Sequence, residues 1–318
     1  MFAIPVINDL ALVVAAIVAA GVGGELFLKG VVGVADALRV PKLLVATTLG
    51  ACATSTPELI VSTTAALAGE PAIGLGDALG SNVINIALVL GLALLSGPIR
   101  VARRELGRDF TVALAVPLLT FMLVLDGTLS RADGGLLLGI FCVWLAVSFY
   151  SGFRAQGLAD HGSCNYRLST VVLLASGGLI ALVLAARLFV AGATGIATAM
   201  GVDTYVIGAM VVAVGTSLPE LVTVVVSRKR GHDDVGIGTL LGSNLFNGLA
   251  IVGIAATIQP MPVPVAEISV ALVIGVVVLL MMMPDRIGLL GRIRGVELLL
   301  VYLIFVLATL AASGYSGP

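Results

Sequence analysis

Charge is scarce in this chain. Asp, Glu, Lys and Arg make up 11% of its 318 residues, against 59% hydrophobic. So few charges cannot coat a water-soluble surface around that much apolar material, which excludes an ordinary globular protein. A mean hydropathy of +1.16 places the chain in a bilayer. The net charge of −1 gathers no basic face for phosphates and excludes a nucleic-acid-binding class. Cysteine is rare as well: Cys52, Cys142 and Cys164 show no metal-ligand spacing and no disulfide framework, so they read as free thiols. The two histidines, His161 and His232, fall between apolar segments. None stands within a span to activate Ser55 or Ser217, and an intramembrane hydrolase lacks its base. The first apolar run has no basic n-region and continues as a full span, so no cleavable leader is expected.

What is abundant is long apolar runs. A span needs roughly 17 to 25 such residues, and ten candidates are present, at about 8–36, 41–69, 73–98, 109–126, 133–153, 168–198, 203–228, 235–258, 265–283 and 296–313. The first and sixth are long enough to lie tilted. Arg39, Lys42, Arg100, Arg103, Arg104, Arg108, Arg154, Arg167, Arg228, Lys229, Arg230, Arg286, Arg292 and Arg294 flank alternate connections on one side, and Arg131 stands on the other. The basic side is expected to be cytoplasmic, as in a cell (inner) membrane, with both termini extracytoplasmic.

The chain also repeats itself. A gapless shift of 162 residues pairs Thr54 with Thr216, Ser55 with Ser217, Pro57 with Pro219, Glu58 with Glu220, Ser81 with Ser243 and Asn85 with Asn247. Apolar filler drifts between the copies while the oxygen-bearing side chains stay, so the duplication preserves a site. With five spans per copy, an odd number, the halves run in opposite directions through the membrane. The expected architecture is an all-α membrane protein of ten transmembrane helices in two inverted five-helix repeats. These are 1–153, with motif 50–91, and 167–318, with motif 212–253, joined by a cytoplasmic linker, 154–166.

Each copy carries TSxPE inside an apolar helix. Pro57 and Pro219 lack an N–H and clash with the carbonyl four residues back, so the helical ladder opens around Ala53 and Gly215, breaking helices 2 and 7. Hydroxyls, freed carbonyls and one carboxylate then make an oxygen-only cluster, the kind that hard cations such as Na+ and Ca2+ take. Each buried acid costs about 2.5 to 3.5 kcal/mol on insertion scales, and two of them repel unless a cation or proton intervenes. Two glutamates meeting from inverted copies therefore imply a bound cation at a central site. Gly76 to Gly80 and Gly238 to Gly242 form GxxxG steps that permit close helix approach.

TSxPE paired with GSNxxN, twice, at constant spacing and in opposite topology, resembles the alpha-repeats of the cation/calcium antiporter superfamily, most closely prokaryotic sodium/calcium exchangers. The resemblance implies a transporter rather than an enzyme, without a resident cofactor. It implies that Glu58 and Glu220 hold Ca2+ with backbone oxygens near Thr54 and Thr216. It further implies Na+ sites built from the Ala51 and Ala213 carbonyls, the hydroxyls of Thr54, Ser55, Ser81, Thr216, Ser217 and Ser243, and the two glutamates, with Asn85 and Asn247 completing the centre. Partners are then Ca2+, Na+ and the bilayer, with no obligate protein partner evident. Ala53 departs from the usual GTS, Asn247 stands where potassium-dependent relatives carry an acid, and Thr239 stands opposite Asp77.

Alternatives remain at this stage. A single TSxPE can be a proline kink whose hydroxyls re-satisfy the backbone; GLGDALG lacks the preceding strand of a dinucleotide fingerprint. Glu25 and Lys29 are four apart and can pair, while Arg187 occupies the repeat position of Glu25. RKRGHDD, Arg228 to Asp234, reads as a solvated cytoplasmic turn. The functional expectation is Na+ for Ca2+ antiport by alternating access, electrogenic if more than two Na+ move per cycle. The alternative is a proton-coupled Ca2+ or cation antiporter; a channel would need a continuous pore.

Overall fold

The computed structural model describes residues 3–101, 103–154, 167–200, 213–263, 265–285 and 287–312. In chain order its helices are α1 (Ala3–Leu38), α2 (Lys42–Thr54), α3 (Thr56–Leu67), α4 (Pro71–Leu95), α5 (Arg103–Leu123), α6 (Arg131–Arg154), α7 (Leu168–Ala199), α8 (Ala213–Thr216), α9 (Leu218–Lys229), α10 (Asp233–Ile258), α11 (Val265–Met282) and α12 (Arg292–Ala312). All ten expected spans fall on these helices, the seventh only from Ala213 onward, since 203–212 lie outside the described residues, as do 155–166 of the linker with Cys164. Five helices, α1, α4, α6, α7 and α10, are long and apolar enough to cross a membrane, and a sixth crossing results if the bent pair α2 and α3 counts as one.

The chain forms two compact units, Met1–Pro57 with Ser151–Thr239, and Glu58–Tyr150 with Leu240–Pro318. Each unit therefore takes part of both sequence halves, and the compact bodies do not coincide with the repeats. The reason is visible inside each unit, where segments pack on their counterparts from the other half.

In the first unit, α1 and α7 run antiparallel. Asp9 lies against Gly195, Gly23 against Ala181 and Gly30 against Ala175. The contacts exchange between the halves: Gly30 meets Ala175, and its counterpart Gly192 meets Val13, the counterpart of Ala175. Close approach depends on these small residues, because no Cβ fits at the crossing. The outward faces of both helices remain apolar and exposed, at Leu10, Ile17, Leu173 and Ile180, as lipid requires. Beyond α3 and α9 the chain turns through Gly69 and Gly231, with φ of +87° and +75°. The caps are the same in both: Glu70 N–H donates to Ala65 O at 2.9 Å, and His232 N–H donates to Ser227 O at 2.8 Å.

The second unit is built around α4 and the greater part of α10, the most buried of the candidate spans. Both widen to i→i+5 bonding, at Ile84–Leu90 and Phe246–Ile251, equivalent positions in the two copies. Four two-residue strands, absent from the all-helical expectation, tie the connections together: β1 (Ile99–Arg100), β2 (Thr128–Leu129), β3 (Met261–Pro262) and β4 (Leu289–Leu290). Ile99 pairs with Leu290 and Leu129 with Met261. A shift of 162 carries Ile99 onto Met261, and a shift of 161 carries Leu129 onto Leu290, so the two ribbons are the same pairing with the halves exchanged. Each ribbon joins connections that the basic-residue bias puts on one side. Glycine contacts follow suit, since Cβ atoms at Gly295 and Gly134 would meet the carbonyls of Gly91 and Gly253 at 2.8 and 2.7 Å.

The α1–α7 crossing yields a paired test. A Cβ at Gly178 would fall on the Phe27 backbone nitrogen and lie 2.7 Å from Gly23 O, whereas one at Gly177 meets nothing within 4 Å. Gly178→Ala is expected to cost about 1–3 kcal/mol by overpacking and to lower the thermal unfolding midpoint in detergent. Gly177→Ala is expected to leave it unchanged or raise it.

Candidate cation site

In the first unit the site residues gather at two breaks of one design. Ser55 (φ −82°, ψ 15°) ends α2 and Ser217 (φ −83°, ψ 9°) precedes α9. The irregular residue is thus the serine of TSxPE, two positions after the expected Ala53 and Gly215. Proline explains it: Pro57 and Pro219 sit in the first turn of the following helix, where a missing N–H costs nothing, so the misfit is absorbed just before that turn. The helix axes α2 and α3 bend by 46° there. Thr54 and Thr216 turn their hydroxyls back onto the Ala51 and Ala213 carbonyls, at 3.3 and 3.0 Å. The threonine oxygen and the alanine carbonyl of each copy are thereby adjacent within one helical turn.

At the breaks a hydrogen bond links the two copies. Ser55 Oγ donates to Glu220 Oε1 at 3.1 Å, across 165 residues of chain. Both residues are fully buried. A carboxylate in such a place needs compensation because burial removes its hydration, and a cation is one chemistry able to supply it. Ser217 Oγ is buried too and makes no hydrogen bond among the described residues. It is an acceptor held ready beside a break of the helix.

In the second unit lie Glu58, Ser81, Asn85, Ser243 and Asn247, all essentially without solvent exposure. Asn85 and Asn247 each occupy the second residue of a widened turn. Such turns leave carbonyls poorly matched within the helix and recur at functional positions. Neither Asn247 Oδ1 nor Nδ2 has a hydrogen-bond partner among the described residues, and Ser81 Oγ has none. A buried carboxamide left in that condition costs about 1–3 kcal/mol. A cation would take the Oδ1 lone pairs and a coordinated water could accept from Nδ2, so these groups are chemically compatible with a hydrated ion. Among the described residues no three His, Cys, Asp or Glu side chains cluster, so the donors are hydroxyls, amides and single carboxylates.

Two asparagines that motif reading passed over hold this unit together. Asn82 Nδ2 donates to Asn244 O at 3.3 Å, and Asn244 Nδ2 donates to Asn82 O at 3.0 Å. They are counterparts, 162 residues apart. Only residues astride a local two-fold axis can exchange identical bonds with their own repeat partner. Asn85 Nδ2 adds a bond to Asn244 Oδ1 at 3.2 Å, which orients one central amide through the other pair. The signal was available in the sequence, since the GSN of each motif contains it, but nothing in spacing distinguishes a ligand from a strut.

Other expectations move. Close approach on α4 and α10 occurs at Gly74, against Ser62, and at Gly236, where a Cβ would lie 2.7 Å from Ser227 Oγ, while a Cβ at Gly76 or Gly80 would meet nothing within 4 Å. Gly238 does pack closely, since a Cβ there would lie 3.0 Å from Ala46 Cβ. Hairpin geometry puts the contact face two residues earlier than the GxxxG spacing suggests. Glu25 pairs with Arg230 at 2.8 Å rather than with Lys29, which is exposed. Arg228 binds Asp233 at 3.1 Å, so the RKRGHDD turn is tied down at both ends. Thr239 returns its hydroxyl to Val235 O at 2.9 Å within its own helix.

Known proteins resemble this chain in sequence and fold. Residues 9–150 and 169–311 each match the sodium/calcium exchanger protein family. Inner membrane protein YrbG of Escherichia coli (strain K12) is 34% identical over 232 residues, 70% of this chain and 71% of that one. Sodium/calcium exchanger MaX1 of Methanosarcina acetivorans is 27% identical over 332 residues, covering 89% of this chain and 93% of its own. A solved structure of the sodium-calcium exchanger NCX_Mj, soaked with Na+ and Sr2+, is 29% identical with a TM-score of 0.82, covering 95% of this chain and 98% of the other. The chain is a multi-pass membrane transporter, not an enzyme, and it belongs to the sodium/calcium exchanger family.

Proposed function

We propose that this protein exchanges Na+ for Ca2+ across the membrane by alternating access. The observation that carries the reading is the buried carboxylate of Glu220 bonded to Ser55 of the opposite motif copy. Glu58, its counterpart, is buried to the same degree. Two ionised glutamates give a charge of −2, which one Ca2+ or two Na+ neutralise, so either load offsets the desolvation and an unloaded site does not. That condition couples the two fluxes. More than two Na+ per cycle makes the exchange electrogenic.

In this reading Ca2+ is held by Glu58 and Glu220 with oxygens near Thr54 and Thr216. Na+ uses the Ala51 and Ala213 carbonyls, the hydroxyls of Thr54, Ser55, Ser81, Thr216, Ser217 and Ser243, and the glutamates; Asn85 and Asn247 complete the set. Residues 1–153 and 167–318 form two inverted repeats of five spans each, with both termini extracytoplasmic. The exchanged ribbons and the Asn82–Asn244 pair support that inversion. The match to exchangers of both halves supports the activity.

Reconstituted vesicles loaded with Na+ and given labelled Ca2+ outside decide the coupling. Uptake is expected with the Na+ gradient and not with a proton gradient; the reverse result makes the protein a proton-coupled antiporter. Glu58→Gln and Glu220→Gln are each expected to cut Na+-driven Ca2+ uptake about 30-fold or more, the factor that at least 2 kcal/mol carries when one partner of a buried charge cluster is lost. Uptake in either variant equal to the parent removes that carboxylate from the site.

Asn247→Asp adds a third acid to the donor set. Like charges in a low-dielectric site cannot all ionise, so one group should retain a proton near neutral pH. Because that proton must leave before Ca2+ binds, uptake should fall more steeply as pH is lowered than in the parent. Superimposable pH profiles would place Asn247 outside electrostatic reach of the glutamates.

Sidedness tests the topology. With Cys52 and Cys142 replaced, Cys164 should react with an impermeant thiol reagent from the cytoplasm, and an Ala72→Cys variant from outside. Reaction of both from one face overturns the inverted ten-span arrangement.

A further inference from the structure

The first unit holds a groove of about 420 Å³ between α1, α2 and α7, running from Leu38 and Leu168 at one end to Phe27, Ala53 and Leu179 at the other. Its size lies in the range of ligand sites, about 300–1,000 Å³. Its lining is almost wholly apolar, and its open edge carries Leu49, Leu168 and Val172, each close to half exposed. From Leu168 to Leu179 the helical rise is about 16 Å. That is close to half of a hydrocarbon core of about 30 Å, the depth of one leaflet.

Cations flank one end. Arg39 follows Leu38, Arg167 precedes Leu168, and Lys42 stands one turn before Val45, which lines the groove. Arg39 and Arg167 are exposed, and none of the three makes an ion pair among the described residues. Arg39, with φ at +54°, is the left-handed residue that ends α1, where Val40 N–H donates to Ala35 O at 3.0 Å. A basic cluster at the membrane surface above an apolar, leaflet-deep slot matches one chemistry, an anionic headgroup on an acyl chain.

We propose that this groove is a specific site for an anionic phospholipid, with one acyl chain along α7 and the phosphate held by Arg39, Lys42 and Arg167. The chain end reaches Gly50 and Ala53, the last turns of α2 before the break at Ser55. Bound lipid therefore props the helix that presents Ser55 to Glu220.

Native mass spectrometry of the full chain in detergent, with equimolar phosphatidylglycerol and phosphatidylcholine added, tests this without reference to ion transport. The parent is expected to retain phosphatidylglycerol preferentially. Combining Arg39→Gln, Lys42→Gln and Arg167→Gln should erase the preference, each cation contributing about fivefold. Val172→Trp, at a lipid-exposed position, should fill the slot and reduce retention of both lipids while leaving the thermal unfolding midpoint unchanged. An unaltered preference in the triple variant, or unaltered lipid retention in Val172→Trp, overturns the proposal.

Discussion

A carboxylate buried in a membrane interior must be neutralised, and much of this architecture can be read as the means of doing so reversibly. Glu220 is fully buried and receives one neutral hydroxyl hydrogen bond from Ser55. That bond orients the carboxylate without discharging it; in the proposed exchange a transported cation supplies the countercharge. The breaks at Ser55 and Ser217 serve the same end. A continuous helix would consume its carbonyls internally, whereas a helix interrupted just before a proline exposes oxygens at a depth where water is absent.

The helical, apolar character of the chain and the two breaks were legible in the sequence because each depends on local chemistry: runs of apolar residues, five or six of them in helices long and apolar enough to cross a membrane among the described residues, and a proline that cannot donate. The break is displaced by two residues, from Ala53 to Ser55 and from Gly215 to Ser217, because proline is harmless in the first turn of the next helix. What could not be read is what depends on orientation between segments. Glu25 lies four residues from Lys29 but bonds Arg230, 205 residues away. Gly74 rather than Gly76 makes the close contact on α4, since the facing side of a hairpin is set by its turn. The ribbons of β1 with β4 and β2 with β3 join connections too short and too plain to signal pairing.

For the candidate site, the motif residues were recognisable because duplication filters the sequence. Positions that recur at 162 residues stand out from apolar background that drifts. That filter does not separate roles, however. Asn82 and Asn85 recur equally well, yet Asn82 is engaged with the backbone of its own counterpart, while the counterpart of Asn85, Asn247, has both amide atoms unbonded among the described residues.

The reciprocal Asn82–Asn244 pair bears on motion as well as stability. A bond that a two-fold rotation maps onto its reciprocal looks the same whichever half plays which part. If the halves trade roles as access passes from one face of the membrane to the other, contacts away from the axis must exchange partners, whereas this pair can persist throughout. It is in that sense a bearing: a fixed point about which the rest can turn, with nothing to remake at each stroke.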